Sequence, residues 1–170
     1  MIKNKLFATA VMIAAFATGS YAQSTASAIA TANVVTPISI AKNTDMAFGN
    51  LAVQAATGGT VVLAPAGSRT RTSGVTLPAT TGTVSAASFT VTGNGSYTYA
   101  ITLPSGNVQL NHTNATDFMN ASSFTSNPSG TGTLSSGTQN IAVGATLTVA
   151  AGQLAGVYTS GNFDVTVNYN

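Results

Sequence analysis

Few side chains in this sequence could carry acid–base or nucleophilic chemistry. There is one histidine, His112, and there are three carboxylates, Asp45, Asp117 and Asp164. His112 lies in the polar run Asn111, His112, Thr113, Asn114, with Asp117 five residues on. Hydrolysis at neutral pH needs a base such as His, or two carboxylates whose proton affinities are driven apart. A Ser, His, Asp set is defined by geometry, so counting alone cannot dismiss it. No Gly-x-Ser-x-Gly nucleophile elbow occurs, however, and His112 reads as a surface-loop residue. Zinc needs clustered Cys or His, and calcium needs closely spaced carboxylates. This chain has no Cys and its aspartates are far apart, so no metal or other cofactor is expected. The run Thr92, Gly93, Asn94, Gly95 does not open a helix and reads as a turn, not a phosphate cradle. An enzyme is therefore not expected.

Binding chemistry is equally sparse. Tyr97, Tyr99 and Tyr158 could stack on a sugar, but Tyr97 and Tyr99 alternate in phase with Ile101 and Leu103, which places them with the core. Tyr158 reads as a corner residue before the last strand. Nucleic acid would require a clustered basic surface. The only candidate is Arg69 with Arg71, flanked by Ser and Thr, which reads as a solvated loop or strand face.

The formal charge of +2 rests on Lys3 and Lys5. Beyond residue 22 the basic residues Lys42, Arg69 and Arg71 balance the three aspartates, so no net basicity remains. Residues 1–22 run from those lysines through the apolar stretch of residues 6–17 to Ser20, Tyr21 and Ala22, the order of a cleaved secretory signal peptide. An apolar stretch this short falls below the roughly 20 residues a membrane span needs, and no later stretch is continuously apolar. The expected product is one exported domain, residues 23–170, with no membrane span after cleavage. Without Cys it carries no disulfide, and its stability must come from apolar burial and backbone ladders.

Period-two alternation supplies the secondary structure. Tyr97, Tyr99, Ile101 and Leu103 oppose Thr98, Ala100 and Thr102, and Phe163, Val165, Val167 and Tyr169 oppose Asp164, Thr166, Asn168 and Asn170. That closing set is the candidate core or assembly strand. Ala87, Phe89 and Val91 precede the turn Gly93, Asn94, Gly95, which predicts a hairpin into the Tyr97 strand. Further strands are expected over residues 29–40, broken or kinked at Pro37, and over residues 60–64, 74–77, 108–110, 140–143 and 145–150. Turn-forming clusters separate them at residues 56–59, 65–68, 104–107 and 127–137. No amphipathic helix appears. Short strands at this spacing predict an all-β fold, a two-sheet antiparallel β-sandwich.

The ordered set Met46 to Gly49, Gly59 to Leu63, residues 69–77, Ala87 to Gly93, Val143 to Val149 and residues 156–169 resembles a family of bacterial secreted proteins, domain of unknown function 4402. The closing run is also similar to the final strand of spore coat protein U and of chaperone-usher pilins. Those resemblances imply an immunoglobulin-like sandwich, export to the cell surface, the periplasm or beyond, and a part in a fimbria or coat. Residues 24–32 offer mostly Ala, with Ile29 the one large residue. The expected function is a structural or adhesive surface subunit that assembles by edge-strand exchange. Its expected partners are further copies of the chain or a periplasmic chaperone. The rival expectation is a monomeric exported module that binds a carbohydrate or matrix polymer.

Overall fold

The computed structural model describes residues 23–170, and the signal-peptide reading lies outside them. The chain divides into two units with the boundary at Asn33/Val34, and residues 23–33 of the first contain no strand. The second unit is all-β, and no helix forms among the described residues. Its strands are β1 (Ser39–Thr44), β2 (Ala47–Phe48), β3 (Ala52–Val53), β4 (Gly59–Leu63), β5 (Arg69–Arg71), β6 (Val75–Thr76), β7 (Val84–Ser85) and β8 (Ala87–Thr92). They continue with β9 (Thr98–Thr102), β10 (Val108–His112), β11 (Phe118–Asn127), β12 (Thr131–Thr133), β13 (Thr138–Val149), β14 (Tyr158–Ser160) and β15 (Thr166–Tyr169).

The longest strand, β13, organises the fold. Along one edge its first half pairs with β8 and its second half with β4, so two strands lie end to end on one neighbour. Its other edge pairs with β11, which continues through β10 to β14. β1 extends the sheet beyond β8 and β5 extends it beyond β4, giving eight antiparallel strands. Gly144 sits where β8 gives way to β4. A Cβ there would collide with the Leu63 carbonyl oxygen and stand 2.9 Å from the Pro65 nitrogen, so the junction admits only glycine without rearrangement.

One face of this sheet is apolar. Ile141, Val143, Ala145, Leu147 and Val149 follow one another at period two along β13, all buried. The first two join a cluster with Phe89 and Val91 of β8, covered by Tyr99, Ile101 and Val167 from a separate three-stranded sheet, β12-β9-β15. The last three join a second cluster with Val61, Leu63, Met119 and Ala121, covered by Phe48 of β2 and Val75 of β6. The two-stranded ribbons β2-β7 and β3-β6 form this second cover. Met46 and Phe124 pack against both clusters.

Several expectations need correction. The antiparallel strands divide among one large sheet and three small ones. The turn at residues 93–95 does not make a hairpin: β8 pairs with β1 and β13, whereas β9 pairs with β12 and β15. The turn is instead tied to another loop, Gly93 N–H donating to the Gly137 carbonyl and Gly137 N–H to that of Gly95. Alternation is the same for strands that pair edge to edge and strands that stack face to face, so the sequence pattern could not separate them. The strand expected over residues 29–40 begins only at Ser39, because nothing before it has a ladder partner. The segments 140–143 and 145–150 are one strand that runs straight through Gly144. The loop expected over residues 127–137 contains β12, and the whole of β11 was absent from the expected strands.

Candidate functional site

The closing run of residues 158–169 switches sheets. At its start β14 pairs with β10 at the edge of the large sheet, and at its end β15 pairs with β9 at the edge of the small one. Residues 161–165, between them, belong to no ladder. The inward side chains of the run occupy graded positions. The Phe163 ring lies 5.3 Å from that of Phe124, half-buried, and Val165 is half-buried beside it. Val167, opposite Ile101, is 7% exposed. Tyr169 meets Tyr97 edge-on at 5.6 Å, and its phenol accepts from Asn94 N–H at 2.6 Å while donating to the Thr36 carbonyl at 2.8 Å. Gly93 leaves the space for that phenol, since a Cβ there would strike the Tyr169 hydroxyl.

These contacts separate the tyrosines. Tyr99 is fully buried, and its hydroxyl donates to Gln139 Oε1 at 2.7 Å, an oxygen that also accepts Thr133 N–H. Burial pushes its phenol above the ordinary 10.0. Tyr97 is exposed and packs only at the rim, on Tyr169. Tyr158 donates to the Leu154 carbonyl and accepts from Gln153 Nε2, fixing the turn before β14.

His112 is not in a loop but ends β10, with its ring 5.0 Å from that of Tyr158. Its Nδ1 accepts Asn114 N–H at 3.2 Å, and Asp117 is held by Asn114 Nδ2 at 2.7 Å. Asn114 Oδ1 also accepts the backbone N–H groups of Thr116 and Asp117. The side chains of this group therefore close the β10–β11 turn. Arg71 is exposed, but the Arg69 guanidinium is hooked to the carbonyls of Phe48 and Asn50, a link that nothing local in the sequence signalled. Among the described residues no three His, Cys, Asp or Glu side chains gather as metal ligands, and no helix is long and apolar enough to cross a membrane.

A cleft of about 1270 Å³ opens where the covers of the large sheet fail to meet. Its floor is apolar and comes from inward residues of that sheet, among them Phe89, Ala121, Phe124 and Leu147. One wall is β1 with residues 44–53, and the other is residues 153–165. Lys42, Asp45 and Asp164 mark the polar rim. The Lys42–Asp45 ion pair, at 2.6 Å, is exposed on both sides and contributes little to stability. Of the candidate strand, Phe163 and Val165 line the cleft, whereas Val167 and Tyr169 belong to the closed end of the core. No local pattern of residues marks the cleft, whose walls come from segments about a hundred residues apart.

The family model described as "Domain of unknown function (DUF4402)" matches residues 38–169, from just before β1 to the end of β15. The chain belongs to this family. The match takes in both walls of the cleft and the whole closing run of this DUF4402 domain. No curated protein and no solved structure matches the chain significantly.

Proposed function

We propose that this DUF4402 protein is an exported structural subunit of the bacterial cell surface, pilin-like or coat-like, which assembles with its own kind by adding a strand at an open sheet edge. It acts by association and not by catalysis. The observation that carries the reading is the apolar-floored cleft beside backbone without a ladder partner at residues 161–165. Exposed strand edges are templates for further pairing, and soluble proteins usually blunt them with Lys, Pro or a bulge. Residues 158–169 carry none of the first two, and their only charge is Asp164. Added main-chain hydrogen bonds would supply affinity while floor residues select the side chains that enter.

The face-to-face packing of the large sheet on β12-β9-β15 supports an immunoglobulin-like sandwich as the underlying architecture. Export is supported by the character of residues 1–22. Sedimentation velocity of the exported protein over a wide concentration range, with electron microscopy of the same samples, tests the reading. Linear oligomers that grow with concentration are expected. A sharp monomer at every concentration that binds a glycan would overturn it in favour of a carbohydrate-binding module.

A further inference from the structure

The outer face of the large sheet, turned away from the core, carries mainly hydroxyls and amides. At several places these side chains bond to one another across the ladders: Ser39 to Thr92, Asn43 to Thr90, Thr90 to Asn140 and Thr60 to Thr72. The pattern changes where β11 meets β13. Asn120 and Thr148 stand opposite each other there, and among the described residues their side chains form no such bond.

An aromatic ring lies beside them. Phe118 is two residues before Asn120, on the same face of β11, and is 49% exposed. The alternate residues Met119 and Ala121 supply the core, so the period of the strand turns Phe118 outward. Phe118, Asn120 and Thr148, with Asp117 and Gln153, border a hollow of about 300 Å³, at the small end of ligand sites.

The groups around this hollow are fixed in advance. Asp117 Oδ2 accepts Asn114 Nδ2 at 2.7 Å, and Asp117 N–H donates to Asn114 Oδ1 at 3.1 Å, which orients the carboxylate. Gln153 Nε2 donates to the Phe118 carbonyl at 3.2 Å and to the Tyr158 hydroxyl at 3.0 Å, which steadies the backbone under the ring. Preorganised groups bind at lower entropic cost. Positions two apart on a strand lie about 6.6 Å from each other, and side chains opposite across a ladder about 5 Å. Those spacings match a single sugar ring.

Charge and polarity narrow the guest. The ionisable group bordering the hollow is a carboxylate, which repels a phosphate, a sulfate or an acidic sugar. A wholly apolar guest would cover the Asn120 amide and the Thr148 hydroxyl without pairing them. A pyranose ring meets every demand. Its hydroxyls can donate to the Asp117 carboxylate and exchange bonds with Asn120 and Thr148, while one C–H face lies on the electron-rich face of Phe118.

We propose that this hollow binds one ring of an uncharged glycan, with Phe118 as the stacking platform, Asp117 as acceptor, and Asn120 and Thr148 as the polar groups that select the ring. The site uses outward residues of β11 and β13, whereas the cleft uses inward ones, Ala121 and Leu147, so filling the cleft leaves this face open. Associated subunits would present the site repeatedly, and avidity multiplies a weak single contact.

The test titrates the exported protein with the methyl glycosides of glucose, galactose, mannose and N-acetylglucosamine, one at a time, and follows backbone amide resonances by NMR. At least one should shift residues 116–120 and 148 saturably, and a uronic acid of the same ring stereochemistry should bind at least tenfold more weakly. Phe118→Ala and Thr148→Val should each weaken binding at least tenfold and melt as the wild type does, since both side chains are exposed. Thr70→Ala, exposed on the same face at β5, should bind as the wild type does. Resonances that stay in place with all four glycosides would overturn the inference, as would affinity that survives both substitutions or an acidic sugar that binds as well as the neutral one. Loss of association in Phe118→Ala without any glycan response would overturn it in favour of a contact between copies.

Discussion

Three neighbouring substitutions in the closing run, each to Asp, should have three different effects. Val167 is 7% exposed, packed among Tyr99, Ile101 and Leu134. Removing a buried Val side chain costs about 1.5–3 kcal/mol in lost transfer energy. The carboxylate adds the cost of a polar group without a partner, so Val167→Asp should lose roughly 3–5 kcal/mol in all. At about 4 °C per kcal/mol for a domain of this size, its melting temperature should fall by roughly 12–20 °C. Thr166 is exposed and faces the other way, opposite Thr102, so Thr166→Asp should stay within about 1 kcal/mol. Val165 lines the cleft, where a carboxylate can turn to water, so Val165→Asp should cost about 1–2 kcal/mol and abolish association by charging the strand site. Thermal melts and sedimentation of the three variants side by side provide the assay. Equal losses at residues 166 and 167 would show the register to be wrong, and a larger loss at residue 165 than at 167 would refute the open cleft.

Other substitutions probe the supports of the site. Tyr169→Phe keeps the ring but deletes the bonds to Asn94 N–H and the Thr36 carbonyl, and chemical denaturation should show a loss of about 1–2 kcal/mol. Gly144→Ala forces a methyl onto the Leu63 carbonyl, and should destabilise by about 1–3 kcal/mol by the same assay, with disrupted β13–β4 pairing. The buried Tyr99 phenol ionises less readily in the folded than in the unfolded chain, because burial raises it above 10.0. Its contribution is therefore complete below about pH 10 and is lost as pH climbs from there towards the folded value. Alkaline unfolding curves should show this, and Tyr99→Phe should flatten that part of the fall.

The all-β class was legible from alternation, and so were the inward residues of β8 and β9, because a half-buried strand writes its period into the sequence. Partnership was not legible. Ala87, Phe89 and Val91 face Tyr99 and Ile101 across the core, yet the same letters would suit a hairpin. β11 escaped notice because its register shifts between Ser122 and Thr125, with Ser123 at φ 50°. Before the shift the inward residues are Met119 and Ala121, and after it they are Phe124 and Ser126, so the period breaks mid-strand. Phe163, Val165, Val167 and Tyr169 were legible as one face, but not that two of them border a cleft. That depends on where the covers of the large sheet stop, a tertiary property. The short ribbons β2-β7 and β3-β6 are two residues per strand, too brief for any period to register.

The central claim is that backbone open along the closing run gains a partner when subunits associate. Amide hydrogen exchange of residues 158–169, followed from dilute monomer to concentrated protein, tests it most directly. Residues 161–165 should exchange quickly in the monomer and become protected in step with association, while β13 stays protected throughout. Association that leaves residues 161–165 exchanging as fast as in the monomer, or no association at the highest concentration, would contradict the account.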